Sequence, residues 1–125
     1  MRSGHADAIT SRLTTSQMLP AVAQGALGIQ CRDKDAHIVQ MLTQLNHPES
    51  FDCIVVEREF LRALDGSCRT PIAGLAMMSG EQINFEGLVA SKDGKICMRE
   101  RFTCQISDAK VMAYQLGSDM KRSYQ

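Results

Sequence analysis

The sequence predicts an α+β domain in which three antiparallel strands are packed by helices. Three observations carry this expectation. Apolar residues recur at helical spacing from Pro48 to Leu64, and again from Ala109 to Met120. Between these stretches, residues 71–103 have the texture of strands, broken by turn signals at Ser79-Gly80 and at Lys92-Asp93-Gly94.

The first seventeen residues, MRSGHADAITSRLTTSQ, hold few large apolar side chains and read as connecting structure, with a short strand expected around Ala8-Ile9. In MLPAVAQGALGIQCR, two short apolar pieces flank Gln24-Gly25 and a second glycine follows at 28, which predicts strand, sharp bend, strand. From Asp33, a candidate cap, Ile38, Val39, Leu42 and Leu45 repeat at helical spacing as far as Asn46. The next helix starts at His47 or Pro48, because proline suits a first turn, and its buried face is expected to be Phe51, Ile54, Val55, Phe60, Leu61 and Leu64. Asp65-Gly66 ends it, and Pro71 forbids its resumption.

PIAGLAMM and QINFEGLVA form a hairpin, with Ile83, Phe85 and Val89 alternating against Gln82, Asn84 and Glu86. KICMRERFT supplies the third strand. Ser107 is the expected cap of a last helix whose Ala109, Met112, Ala113, Leu116 and Met120 share one face.

The bulk numbers exclude several function classes. Of 125 residues 44% are hydrophobic and 22% charged, which suits a globular chain rather than a disordered one. Fourteen basic residues balance fourteen acidic ones, so no net field favours nucleic acid or an anionic membrane as partner. No apolar run approaches the ~20 residues of a membrane-spanning helix. The five cysteines, at 31, 53, 68, 97 and 104, contain no C-x-x-C pair and no Cys/His cluster, so no metal site is expected; their odd number, without a signal-peptide pattern, points to free thiols in a reducing compartment.

Among residues that could carry chemistry, Cys68 stands out. The stretch DGSCRTPIAG places it on a short stiff loop beside Arg69, where a thiol has exposure and a positive neighbour. Cys31, Cys53, Cys97 and Cys104 fall in or beside elements where thiols serve as small hydrophobes. A cysteine-protease arrangement needs a histidine base, and His5, His37 and His47 offer none in a recognisable setting; His47 reads as a helix cap or surface residue. QGALG lacks the Gly-Lys-Ser/Thr ending of a phosphate loop and reads as a bend. Arg99 and Arg101 would share one strand face, solvated by default. The eight methionines read as adaptable core filling.

MLPAVAQGALGIQCR, LNHPES, EREFLRALDGSCRTPIAG and GLVASKDG, in this order and without evident gaps from about Ala6 to Gly117, resemble the hydroxymethylbilane synthase (porphobilinogen deaminase) family. The resemblance implies a transferase of tetrapyrrole biosynthesis that condenses four porphobilinogen molecules, with loss of ammonia, on a covalent dipyrromethane cofactor. It implies that Cys68 holds that cofactor through a thioether, as a soft thiolate captures an electrophilic pyrrole methylene carbon. Gln24 and Gly25 match a hinge motif near the cofactor, although a bend with a purely backbone role explains them equally well. Arg69 and Thr70 stand where family members vary and receive no role.

The resemblance further implies a fragment of periplasmic-binding-protein-like α/β domains ahead of the small domain: residues 1–25 as the tail of a second α/β domain with its hinge, 26–47 as a returning segment of a first, and 48–125 as the cofactor-attachment domain. No catalytic residue is assigned, because the family's catalytic aspartate and most of its substrate-binding Lys and Arg have no counterpart in these residues. The chain by itself is therefore expected to be inactive, with residues 1–46 mobile or sticky and 48–125 self-sufficient. Family members are usually monomeric, and a cytoplasmic or plastid-stromal setting is implied. The alternative is a non-catalytic scaffold or interaction domain that keeps the fold, for which a retained loop thiol has no use.

Overall fold

The computed structural model describes residues 4–65 and 71–124. In chain order the elements are a 3₁₀ turn at Ala6–Ala8, α1 (Ala36–Thr43), α2 (Pro48–Ala63), β1 (Ile72–Ser79), β2 (Gln82–Ala90), β3 (Cys97–Gln105) and α3 (Ile106–Tyr124). The strands form one antiparallel sheet in the order β1-β2-β3, which is the α+β architecture expected of the sequence.

The hairpin follows from local chemistry. Gly80 takes φ +62° between β1 and β2, a conformation that costs glycine nothing, and the register from Ser79↔Gln82 to Ile72↔Val89 follows from that two-residue turn. In this register Ala76, Phe85 and Phe102 lie side by side on one face, which Ile83 and Val89 of β2 share. Helices α2 and α3 cover that face. Phe60 of α2 meets Phe85 edge-on at 5.1 Å between centroids, and Phe85 meets Phe102 at 5.3 Å; Val56, Ala109, Ala113 and Met120 complete the core.

Helix α2 begins as read, with Pro48 at its first turn and the His47 ring nitrogen Nδ1 accepting from the Ser50 amide at 3.3 Å. Its buried face differs from the expected one. Cys53, Val56, Glu57, Phe60 and Ala63 are buried, whereas Phe51 is 56% exposed and Ile54, Val55, Leu61 and Leu64 are only half-buried. Phe51 precedes Phe60 by nine residues, roughly 180° around the helix, so both cannot face the sheet.

Other expectations are corrected as well. Residues 6–8 form a 3₁₀ turn, not a strand. The strands expected on either side of Gln24-Gly25 do not form, although the bend does: no chain segment among the described residues runs alongside 26–31 to complete a ladder, and Leu27 and Ile29 stay exposed. Cys31 accordingly lies outside any strand. Helix α1 is shorter than 33–46, its N-cap is Asp35 rather than Asp33, and the Asp35 carboxylate accepts from Arg32 instead of capping the helix amides. None of its residues is buried, so its apolar stripe has no surface among the described residues to pack on. Ser107 caps nothing: α3 starts at Ile106 directly from β3, and the Ser107 hydroxyl donates to Asp108. Met112 stays 37% exposed, while Ala109, Ala113 and Met120 are buried as expected.

Candidate functional site

The outer edge of β1 shows how the segment before α1 is attached. In an antiparallel strand every second amide points away from its neighbour. On β1 these amides include those of Gly74, Ala76 and Met78. The Gly74 amide donates to the Pro20 carbonyl at 3.0 Å and the Ala76 amide to Glu57 Oε1 at 2.9 Å, while the Cys53 thiol lies by the Met78 backbone. Cys53 and Glu57, one turn apart on α2, thus close an edge that would otherwise be open for pairing.

Glu57 also reaches the bend. Its second oxygen, Oε2, accepts from the Ala23 amide at 2.7 Å. It is only 4% exposed, and burial raises its pKa above the usual value near 4.5 despite the opposing pull of the two amide bonds. On the outer sheet face, Arg99 donates to Glu86 at 2.6 Å and to the carbonyls of Ser16 at 2.8 Å and Thr15 at 3.1 Å, fastening residues 14–17 from the other side. This Arg99 is therefore not a merely solvated residue.

The bend itself is strained and internally braced. Ala23 has φ +59° and Gly25 φ +87°; the Gln24 amide donates to the Ala21 carbonyl at 3.0 Å, while Gln24 Oε1 accepts from the Ala21 amide at 3.1 Å. Gln24 and Gly25 thus form a bend that the Gln24 side chain braces. An open groove of about 720 Å³ runs beside it, bounded by Val22 and Ala23 on one side and by Arg58, Glu59, Leu61, Arg62 and Asp65 of α2 and its end on the other. Arg62 pairs with Glu59 at 2.5 Å and lies 4.6 Å over the Tyr114 ring; Arg58 has no ion pair among the described residues.

Asp65, the last described residue before the predicted cysteine loop, also has positive φ, +49°, and is paired with Lys121 of α3. After the loop, the Pro71 carbonyl accepts from Ala90 at 2.9 Å. Both stems are therefore held. Gly66, Cys68, Arg69 and Thr70 lie outside the described residues. Of the other thiols, Cys53 is buried and Cys104 half-buried, and burial pushes both away from the thiolate; Cys31 and Cys97 are exposed. No group of three His, Cys, Asp or Glu able to hold a metal is present among the described residues, and no helix there is long and apolar enough to cross a membrane.

Glu57 is the residue that sequence reasoning missed. Its signal was available: a carboxylate in phase with Val56 and Phe60 on an otherwise apolar stripe requires a buried partner. The raised folded pKa has a measurable consequence. A carboxyl that holds its proton more tightly when folded contributes stability fully present below about pH 4.5 and lost as pH rises through the raised value. Glu86, held low by the Arg99 hydrogen bond, works in the opposite direction and remains in a Glu57→Gln variant. The stability difference between wild type and Glu57→Gln should thus shift against wild type from pH 4.5 upward and then level off, as read by urea unfolding at a series of pH values. A difference independent of pH would show that Glu57 titrates normally.

A family model described as porphobilinogen deaminase, C-terminal domain, matches residues 51–122, more than half of the chain. A second, described as porphobilinogen deaminase, dipyromethane cofactor binding domain, matches residues 1–40. Among curated relatives, the porphobilinogen deaminase of Alkaliphilus metalliredigens is 37% identical over 95% of this chain and 38% of its own length. That of Lawsonia intracellularis is 43% identical over 90% of this chain and 35% of its own length, and that of Staphylococcus aureus 44% identical over 92% and 37%. The chain spans a little over a third of the length of these relatives.

Proposed function

The chain belongs to the porphobilinogen deaminase family, and from that premise we propose that its residues carry the primer-attachment part of a hydroxymethylbilane synthase, the transferase that condenses four porphobilinogen molecules with loss of ammonia. The observation that carries this reading is the continuous family match across 51–122, which takes in the Cys68 loop together with both of its stems. The family match over 1–40 carries a dipyrromethane cofactor with it.

In this reading Cys68 is the anchor of the primer and not a turnover nucleophile. Bound there, the dipyrromethane group supplies a free pyrrole carbon that can extend. The chain's own residues hold it in place. Arg58, a guanidinium with no ion pair among the described residues, lines the groove between the Ala23 bend and the end of α2 beside Glu59, Arg62 and Asp65, and offers an acetate or propionate side chain one unpaired donor. Gln24 and Gly25 belong to the bend whose Val22 and Ala23 line that groove. We assign residues 1–25 and 26–47 to the two preceding α/β domains of periplasmic-binding-protein type and 48–125 to the attachment domain. We further propose a monomeric enzyme in the cytoplasm or plastid stroma that engages neither nucleic acid nor membrane. Because these residues contain no counterpart of the family's catalytic acid, the 125-residue chain alone should release no ammonia from porphobilinogen.

The test uses hydroxymethylbilane, whose terminal hydroxymethyl pyrrole loses water to give a carbon electrophile that a thiol can capture. Incubated with it, the chain should gain the mass of the whole bilane less one water on the Cys68 peptide and not on those of the exposed Cys31 and Cys97. Cys68→Ala should abolish the gain. Equal labelling of all exposed thiols, or none at Cys68, would refute the assignment and favour a scaffold that merely keeps the fold.

A further inference from the structure

The two edges of the sheet are finished differently. On β1 the outward amides of Gly74 and Ala76 meet the Pro20 carbonyl and Glu57. On β3 the ladder is fixed at both ends, where the Ser91 amide donates to the Ile96 carbonyl at 2.8 Å and the Ile106 amide to that of Glu81 at 3.4 Å, so the even-numbered amides of β3 face β2. Those of Arg99, Arg101 and Thr103 point the other way. No described residue accepts from them, and this edge is open to a further strand.

Charge decides which strand it can take. Arg99, Glu100 and Arg101 stand exposed at the middle of β3. Arg99 is already paired with Glu86, whereas Glu100 and Arg101 have no ion pair among the described residues. A second copy, pairing antiparallel through the same outward groups, meets its own charges: the register centred on Arg101 sets Arg101 opposite itself, and the one centred on Glu100 sets Arg99 opposite Arg101 and Glu100 opposite itself. The register centred on Phe102 runs the second strand's Met98 against Ile106, where β3 gives way to α3. Opposite charges on a different strand turn the same repulsion into attraction.

We infer that the free edge of β3 is a docking edge for an extended peptide segment, which adds antiparallel as a fourth strand and carries an acidic residue opposite Arg101 and a basic one opposite Glu100. Main-chain hydrogen bonds hold such a strand, and the two charge pairs fix its register. Because the strands run in opposite directions, the acidic residue comes first in the partner's sequence and the basic one follows it.

The test titrates the full chain with two capped peptides as long as β3 and identical in composition, built of Thr and Val with Glu-Lys at the centre of one and Lys-Glu at the centre of the other. Both are N-methylated at the same alternate positions, so that only one edge of each can pair. The Glu-Lys peptide should slow amide exchange, read by NMR, at least fivefold at Arg99, Arg101 and Thr103, while Glu100, Phe102 and Cys104, already bonded to β2, stay within twofold. It should bind at least fivefold more tightly than its isomer, and either Arg101→Gln or 0.5 M salt should remove that preference. No slowing at these amides up to the solubility limit of both peptides overturns the docking edge. Equal affinity of the isomers, or a preference that survives Arg101→Gln, overturns the charge-read partner. Slowing of the same amides when the chain alone is concentrated makes a second copy the occupant and overturns the inference as well.

Discussion

Replacing Phe60 by alanine is expected to cost about 3–5 kcal/mol, a range typical of a fully buried aromatic. Phe60 has no solvent exposure, and its ring is the piece that joins helix to sheet. It meets Phe85 edge-on at 5.1 Å, lies against the space above Gly87, and belongs to a turn of α2 whose carbonyl sits close under Gly117 of α3. The cavity left by its removal is bounded by β2, which its ladders to β1 and β3 hold in place, and by α3, whose own backbone hydrogen bonds keep it rigid, so neither can collapse into it freely. Domains are held by roughly 5–15 kcal/mol, so the variant should unfold at a much lower urea midpoint or populate the unfolded state without denaturant. A loss below about 1.5 kcal/mol in urea unfolding would show that Phe60 is not the centre of this core.

The second large effect comes from adding one carbon. A Cβ at Gly87 would lie 2.6–3.0 Å from three ring carbons of Phe60, well inside van der Waals contact. The ring has little room to retreat, because the α2 backbone behind it is itself only 2.8 Å from the position a Cβ would take at Gly117. Gly87→Ala should therefore cost about 1–3 kcal/mol through overpacking. The mechanism predicts coupling. In a Phe60→Leu background, where the ring is gone, the same Gly87→Ala change should cost at least 0.5 kcal/mol less, since residues in contact are not additive. Strictly additive losses in the double-mutant cycle would mean that the clash with Phe60 is not the cause.

How much of this was legible from residues alone differs by element. The hairpin was, because Ser79-Gly80 between alternating runs admits few other solutions, and so was the start of α2, where His47-Pro48 writes cap and first turn in adjacent letters. The phase of α2 was not. The expected buried face put Phe51 with Phe60, but nine residues set them on opposite sides, and the buried positions include Glu57 because its carboxylate meets the Ala76 amide of β1. The strands expected beside Gln24-Gly25 failed for a related reason: a strand is a relation between two segments, and one segment's pattern cannot supply its neighbour.

The candidate site divides in the same way. Cys68 was singled out by its loop composition and by resemblance, and Gln24-Gly25 as a bend. Neither Glu57 nor the groove bounded by Ala23 and Asp65 was visible, since these residues are far apart along the chain.

By itself, the sequence determined the α+β class, the order of the elements after Pro48 and the family, because turn chemistry, hydrophobic period and spaced motifs are local properties. Only the tertiary structure decided which side of α2 faces the sheet, what closes the edge of β1 and what holds the 21–25 bend. Each of these depends on a donor and an acceptor, or two surfaces, brought together from distant positions, and their burial together is what gives a carboxylate such as Glu57 its role.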